Sequence, residues 1–243
     1  MNKGELIFGT MPIGNVRDTT HSLIDSIKSA DVIAVENKKP IVEIINHYGI
    51  STDAEIVSMF PSDFIGNRDN DISVSLKTFA RAEQILDLLS KGKKVLCVSD
   101  EGSAIVTDPF GMKDFIVDAG YEVKILPGPS AIISALSYSK GYDGGSFSFH
   151  GMLFYDPNKS KKYQMIERSA YPSVIFYHHE IQEPFLKELA DALGTERKAT
   201  LLSSLTTKDE IIFTGSIGKI IDFVSKNDIQ IPTIVVSGNV VEQ

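Results

Sequence analysis

Tryptophan is absent from the 243 residues, and Cys97 is the single cysteine. One thiol makes neither an internal disulfide nor a Cys-x-x-Cys metal or redox site, and it fits a reducing compartment. Histidines stand only at 21, 47, 150, 178 and 179, without His-Glu-x-x-His or other paired ligand spacing, so no metal is expected. No stretch approaches the roughly eighteen uncharged apolar residues of a membrane span. The N-terminus shows no basic segment leading into a long apolar one, so a cytoplasmic protein, neither secreted nor membrane-spanning, is expected. Neither Gly-x-Gly-x-x-Gly nor a Walker loop occurs, which removes the usual phosphate cradles, and no Gly-x-Ser-x-Gly elbow supports a serine hydrolase. Positive charge is also in short supply. Against 32 Asp and Glu stand 24 Lys and Arg, a formal charge of −8 that argues against a general nucleic-acid coat and leaves only local contacts to RNA.

Hydrophobic residues make up 42% and charged residues 23%, ordinary globular usage that excludes disordered and collagen-like classes. The length admits one large α/β domain or two ordinary ones. Strand-like runs bounded by turns occupy residues 6–10, 32–35, 55–59, 94–98 and 122–126. Helical spacing is clearest over 75–90, where Phe79, Ala82, Ile85, Leu86 and Leu89 share a face, and it recurs over 19–29 and 109–119. This alternation predicts a mainly parallel sheet covered on both faces, an α/β domain over residues 1–126. The stiff Pro127-Gly128-Pro129-Ser130 turn marks a candidate boundary, followed by a helix-compatible run from Ala131 to Leu136. Beyond it, strands are expected at 146–150, 173–177, 199–203, 210–214 and 233–237, several of them consecutive, with helices at 184–193 and 216–225. Residues 127–243 thus read as a second α/β domain with a more mixed sheet. The most polar loop is 62–73.

Candidate chemistry gathers where strands end. The first strand runs into Gly9-Thr10-Met11-Pro12-Ile13-Gly14-Asn15, a glycine-punctuated turn at the end of a strand where open α/β sheets hold ligands. The fourth runs into Ser99-Asp100-Glu101-Gly102-Ser103-Ala104, whose small residues admit close backbone approach and whose carboxylates suit a cationic ligand such as a sulfonium. His178 and His179 follow the strand ending at Tyr177, at a place where a side chain can serve as acid or base. Lys38-Lys39 and the Lys159, Lys161, Lys162 and Arg168 group are the notable basic clusters, suited to phosphate contact or to a solvated face.

In order, these segments resemble the tetrapyrrole (corrin/porphyrin) methylase superfamily, and within it the bacterial small-subunit ribosomal RNA (cytidine-2′-O)-methyltransferases. Thr10-Met11-Pro12-Ile13-Gly14-Asn15 is similar to that branch's Thr-Pro-Ile-Gly-Asn loop. Ser99-Asp100-x-Gly102-Ser103 with Asp108-Pro109 resembles its Ser-Asp-Ala-Gly-Thr-Pro-Gly-Ile-Ser-Asp-Pro loop, and Pro127-Gly128-Pro129-Ser130-Ala131 matches without change. Ile175-Phe176-Tyr177 falls where its Ile-Phe-Tyr falls.

The resemblance implies two α/β domains of the tetrapyrrole methylase type, S-adenosylmethionine in the cleft between them, and a homodimer. Carried over residue by residue, it assigns Pro12, Asp100, Gly102, Ser103, Val106, Thr107, Ser130, Ala131, Tyr177, Ser203 and Thr233 to the cofactor. Asn15, Lys38 and Lys39 would meet the acceptor, and Glu36 or His178 would be the base if a ribose hydroxyl is methylated. The departures lie mostly on the substrate side. Glu-Asp-Thr-Arg becomes Glu36-Asn37-Lys38-Lys39, Glu-Ser-Pro-His-Arg becomes His178-His179-Glu180-Ile181-Gln182, and Pro and Gly of the cofactor loop become Ala104 and Ile105. The expectations are therefore methylation of ribosomal RNA or, alternatively, of a small molecule or tetrapyrrole, with a non-enzymatic S-adenosylmethionine-binding relative as a third reading.

Overall fold

A computed structural model of the chain describes residues 3–58, 71–104, 112–140, 142–230 and 232–238, with the backbone alone at 71–80 and 155. It divides into two compact units, Met1–Ser130 and Ala131–Gln243. Pro127 to Ser130 go with the first unit because Gly128 lies against Thr10: a Cβ added at Gly128 would stand 2.8 Å from Thr10 Cγ2.

In the first unit the order is β1 (Glu5–Phe8), α1 (His21–Ser29), β2 (Val32–Val35), α2 (Lys38–Tyr48), β3 (Glu55–Ser58), α3 (Asp71–Ser90), β4 (Lys94–Val98), α4 (Met112–Asp118) and β5 (Glu122–Ile125). All the strand pairs are parallel, in the order β3-β2-β4-β1-β5. Such a sheet buries both faces, so its central strands read as unbroken apolar runs. Ile7, Ile33, Val35, Leu96 and Val98 pack on Leu23 and Ile27 of α1 and Ile41 and Ile44 of α2. Their alternates Leu6, Phe8, Ala34, Val95 and Cys97 meet Ile85 and Leu89 of α3 and Met112 and Ile116 of α4. The neighbours β1 and β4 therefore send their following segments to opposite faces of the sheet. Ligands of open parallel sheets gather at such a divergence, outside the carboxyl ends of the strands.

The sequence reading does not single out α2, where Pro40 precedes the β-branched Ile41, Val42, Ile44 and Ile45. Pro40 stands in the first turn, where no N–H is needed for an intrahelical bond. The Asn37 side chain accepts from the Lys39 N–H to cap the start, and Gly49 closes the end at φ 59°, in the left-handed region.

The second unit runs α5 (Ala131–Tyr138), β6 (Ser148–Met152), α6 (Lys159–Arg168), β7 (Ser173–Phe176), α7 (Gln182–Leu193), β8 (Lys198–Ser203), β9 (Ile211–Ser216), α8 (Ile217–Val224) and β10 (Pro232–Val236). Its sheet is mixed, as expected, in the order β6-β7-β10-β8-β9. Only β6 and β7 pair in parallel. A parallel pair needs a crossover, and α6 supplies it. The sequence reading treats that segment as a basic cluster only. Ile175, Tyr177, Leu201, Ile234 and Val236 form one core with α6, α7 and α8, while α5 packs on β7 and β10.

Candidate active site

The loops after β1 and β4 are joined by their backbones. Thr10 and Ser103 form an isolated antiparallel bridge. The Met11 N–H donates to Gly102 O at 2.8 Å, and the Gly102 N–H donates to Pro12 O at 3.4 Å. Gly102 has φ 63°, which glycine adopts at little cost, and among the described residues outside its chain neighbours the nearest atom to its missing Cβ is Ile13 Cγ2, at 3.8 Å. The Ser99 hydroxyl donates to Glu101 O at 2.9 Å, folding the loop on itself. The Thr10 hydroxyl donates to Leu126 O at 2.6 Å and so draws in the end of β5.

A third loop is tied to the same place. Asp100 Oδ1 accepts the Asn37 N–H at 3.0 Å, fastening the start of α2 to the β4 loop. The Ser58 hydroxyl holds Glu36 O at 2.9 Å. The structure therefore brings the expected cofactor residues Pro12, Asp100, Gly102 and Ser103 together with the expected acceptor-side residues Glu36, Lys38 and Lys39. Both lysines are exposed in the first turn of α2. Positive charge is disfavoured there by the helix dipole, so local helix stability does not account for them.

The two carboxylates of the loop are electrostatically strained. Burial raises the Asp100 carboxyl above its ordinary range, with the Asn37 N–H opposing. Burial, and then the charge of Asp100, push Glu101 up to about 7. Glu101 and Thr10 lie in loops the sequence marks out, but neither is singled out there as a contact, and Asn37 is noted only as a departure from the family pattern. The available signal was a pair of adjacent acids among small residues directly after a buried strand.

The remaining expected residues are placed as follows. Asn15 Oδ1 accepts the Arg17 N–H at 3.0 Å. Ser130 is half-buried, and Ala131 opens α5. Tyr177 is buried against Phe185, ring centroids 4.5 Å apart, with its hydroxyl 3.4 Å from Gln182 Oε1; burial pushes that hydroxyl well above the usual phenol range. His178 is half-buried, and burial holds its ring below the ordinary histidine range, the neighbouring Glu180 opposing. Ser203 is buried and donates to Gln230 O. Thr233 pairs with Phe176 and Leu202, on the sheet face opposite Ile234 and the α6–α8 core. Val106, Thr107, Ile105, the Asp108-Pro109 pair and most of the polar 62–73 loop lie outside the described residues.

An open glycine backbone flanked by two carboxylates suits a small cationic ligand held by peptide groups, as a sulfonium donor requires. Residues 7–221 match the family model for the Tetrapyrrole (Corrin/Porphyrin) Methylases. The chain belongs to this family. It is an S-adenosylmethionine-dependent methyltransferase. Ribosomal RNA small subunit methyltransferase I of Vibrio cholerae is 33% identical over 231 residues, 89% of this chain and 70% of that protein. Its namesake in Thermotoga maritima is 28% identical over 237 residues, 97% of this chain and 99% of that one. Among solved structures, uroporphyrin-III-C-methyltransferase of Thermus thermophilus superposes with TM-score 0.67 at 15% identity, covering 97% and 94% of the two chains. A cobalt-precorrin-4 methyltransferase of cobalamin biosynthesis superposes with TM-score 0.69 at 16% identity, covering 96% and 94%. These last two speak to the fold. No group of three metal-ligating side chains and no helix long and apolar enough to cross a membrane occurs among the described residues.

Proposed function

We propose that the protein methylates a ribose 2′-hydroxyl of small-subunit ribosomal RNA. The observation that carries this reading is the Asn37–Asp100 hydrogen bond, which fastens two exposed lysines to the loop with the cofactor character. An acceptor bearing anionic groups is favoured beside Lys38 and Lys39, and RNA phosphates supply them. Relatives at 27–33% identity named for ribosomal RNA support the same choice.

When bound, S-adenosylmethionine supplies an electrophilic methyl on a cationic sulfur. The chain's own residues would align the ribose hydroxyl with that methyl and take up the hydroxyl proton. Asp100, Gly102 and Ser103, with Pro12, Val106, Thr107 and Ser130, are the proposed contacts of the donor in the first unit, and Ala131, Tyr177, Ser203 and Thr233 those in the second. Asn15, Lys38 and Lys39 are proposed to orient the acceptor. Glu36 and His178 are the proposed bases, and the lowered ring pKa of His178 keeps it neutral and able to accept a proton near pH 7. Alignment and exclusion of water would supply most of the acceleration of such a displacement.

The test is transfer of isotopically labelled methyl from S-adenosylmethionine to small ribosomal subunits lacking the mark, with mass mapping of the product. A ribose methyl is expected, with KM raised in the Lys38→Glu/Lys39→Glu variant; donor binding without any ribose mark would overturn the reading. A tetrapyrrole also carries acidic groups that fit the lysine pair, so label appearing in a porphyrin acceptor instead would favour that second reading. A homodimer and a cytoplasmic location are proposed with this function, the first checked by light scattering.

A further inference from the structure

The basic residues of α6 sort by their partners. Lys159 pairs with Glu188 at 2.9 Å and lies 4.8 Å above the Phe154 ring. Lys162 pairs with Asp156. Lys161 and Arg168 form no ion pair among the described residues. Seven positions apart, they share a helix face and stand about 10 Å apart along its axis. Gln164 and Met165 lie on the same exposed face, Met165 at 63%. Glu167 is the acid on this stretch; its charge also acts on Arg197, whose guanidinium donates to Ser237 O at 3.1 Å and Ile166 O at 3.3 Å.

Directly past the helix, Tyr171 is 55% exposed on a turn that is fixed in several ways. The Ser169 hydroxyl donates to Tyr171 O at 2.9 Å and accepts the Tyr171 N–H at 3.1 Å. Pro172 restricts Tyr171 to an extended backbone. Gly238 packs so closely on this turn that an added Cβ would stand 2.1 Å from Ala170 O. A large aromatic ring is thus held in solvent just past a helix face that carries two cations outside any ion pair among the described residues, although the chain as a whole carries −8.

We infer that the exposed face of α6 and the Tyr171 turn are a docking surface for RNA, with Lys161 and Arg168 on phosphates and Tyr171 stacked on an unpaired base. The inference rests on the reading that the acceptor is RNA. A nucleic-acid strand offers regularly spaced negative charge together with flat apolar rings, the two chemistries this surface presents. An acidic protein segment would use the cations and leave the ring without a counterpart. A chain with overall negative charge must also capture a polyanion through local clusters of this kind.

The experiment measures binding of a fluorescently labelled small-subunit ribosomal RNA fragment over a salt series, beside methyl transfer to the small subunit. In Lys161→Glu/Arg168→Glu the affinity at low salt should fall about tenfold or more, and the log–log salt slope should flatten by about 1.5, as expected for two lost phosphate contacts. Tyr171→Ala should weaken binding by about 5- to 100-fold with the slope unchanged. The neutral pair Lys161→Gln/Arg168→Gln, expected to lose affinity in the same direction, guards against a fold defect, as does an unchanged heat of S-adenosylmethionine binding. Wild-type affinity and slope in the charge variants, while the parent methylates RNA, would overturn the inference and leave the function standing. A parent that neither binds nor methylates RNA would overturn both. Equal binding of polyglutamate and RNA to the parent would assign the surface to an acidic protein and overturn the inference alone.

Discussion

Glu101 has a carboxyl at about 7, set by burial and by the charge of Asp100. Between about 4.5 and 7 the folded protein keeps a proton that the unfolded chain has lost, so its contribution to stability is present on the acid side and disappears as pH rises through that window. Glu101→Gln removes the titration. Denaturant unfolding should show the variant gaining up to about 3 kcal/mol over the parent at pH 8 and close to nothing at pH 4.5. The same residue should tune the donor. A sulfonium nearby favours the ionised carboxylate, so calorimetry should find S-adenosylmethionine affinity rising several-fold from pH 6 to pH 8, with the rise absent in the glutamine variant. The demethylated product, with neutral sulfur, should show little of this dependence. The loop containing Glu101 was legible in the sequence because its glycine and small residues follow an apolar strand. The individual role was hidden, because burial and the Asp100 neighbour, rather than residue type, set its proton affinity.

Among the elements, α2 carries the acceptor-side lysines and is fixed at its start by Asn37 in two senses: side chain to Lys39 N–H, backbone to Asp100. Asn37→Ala keeps the second bond and removes the first. A loss of about 1 kcal/mol is expected in thermal or urea unfolding, with KM for RNA rising more than KM for the donor. Gly128→Ala tests the Pro127–Ser130 turn: the added methyl meets the Thr10 side chain at 2.8 Å, and destabilisation of about 1–3 kcal/mol should follow. The parallel strands of the first unit were readable because burial on both faces leaves continuous apolar runs such as Val32 to Val35. The two helices that escaped notice did so for separate reasons. In α2 a proline and a β-branched run mimic strand composition, and in α6 the apolar positions Tyr163 and Ile166 are too few to declare a period among lysines. Thr10 was equally invisible, since its bond to Leu126 O spans 116 positions of sequence.

For the whole molecule, fold and sequence carry different reach. Chains with 12–16% identity share the two-unit architecture, whereas the relatives named for ribosomal RNA stand at 27–33%. Acceptor choice is therefore proposed to rest on surface residues such as Lys38, Lys39, Lys161 and Arg168 rather than on the scaffold. Cys97 sits at the opposite extreme, 1% exposed in β4, with burial pushing its thiol up to about 12. Since thiolate is the reacting form, an alkylating reagent can label this sulfur only after the central sheet opens. The protein thereby contains its own clock. Labelling should be prompt in strong denaturant, slow in buffer, and slower still with S-adenosylmethionine present, with the logarithm of the rate falling in proportion to the free energy with which the donor holds the sheet shut.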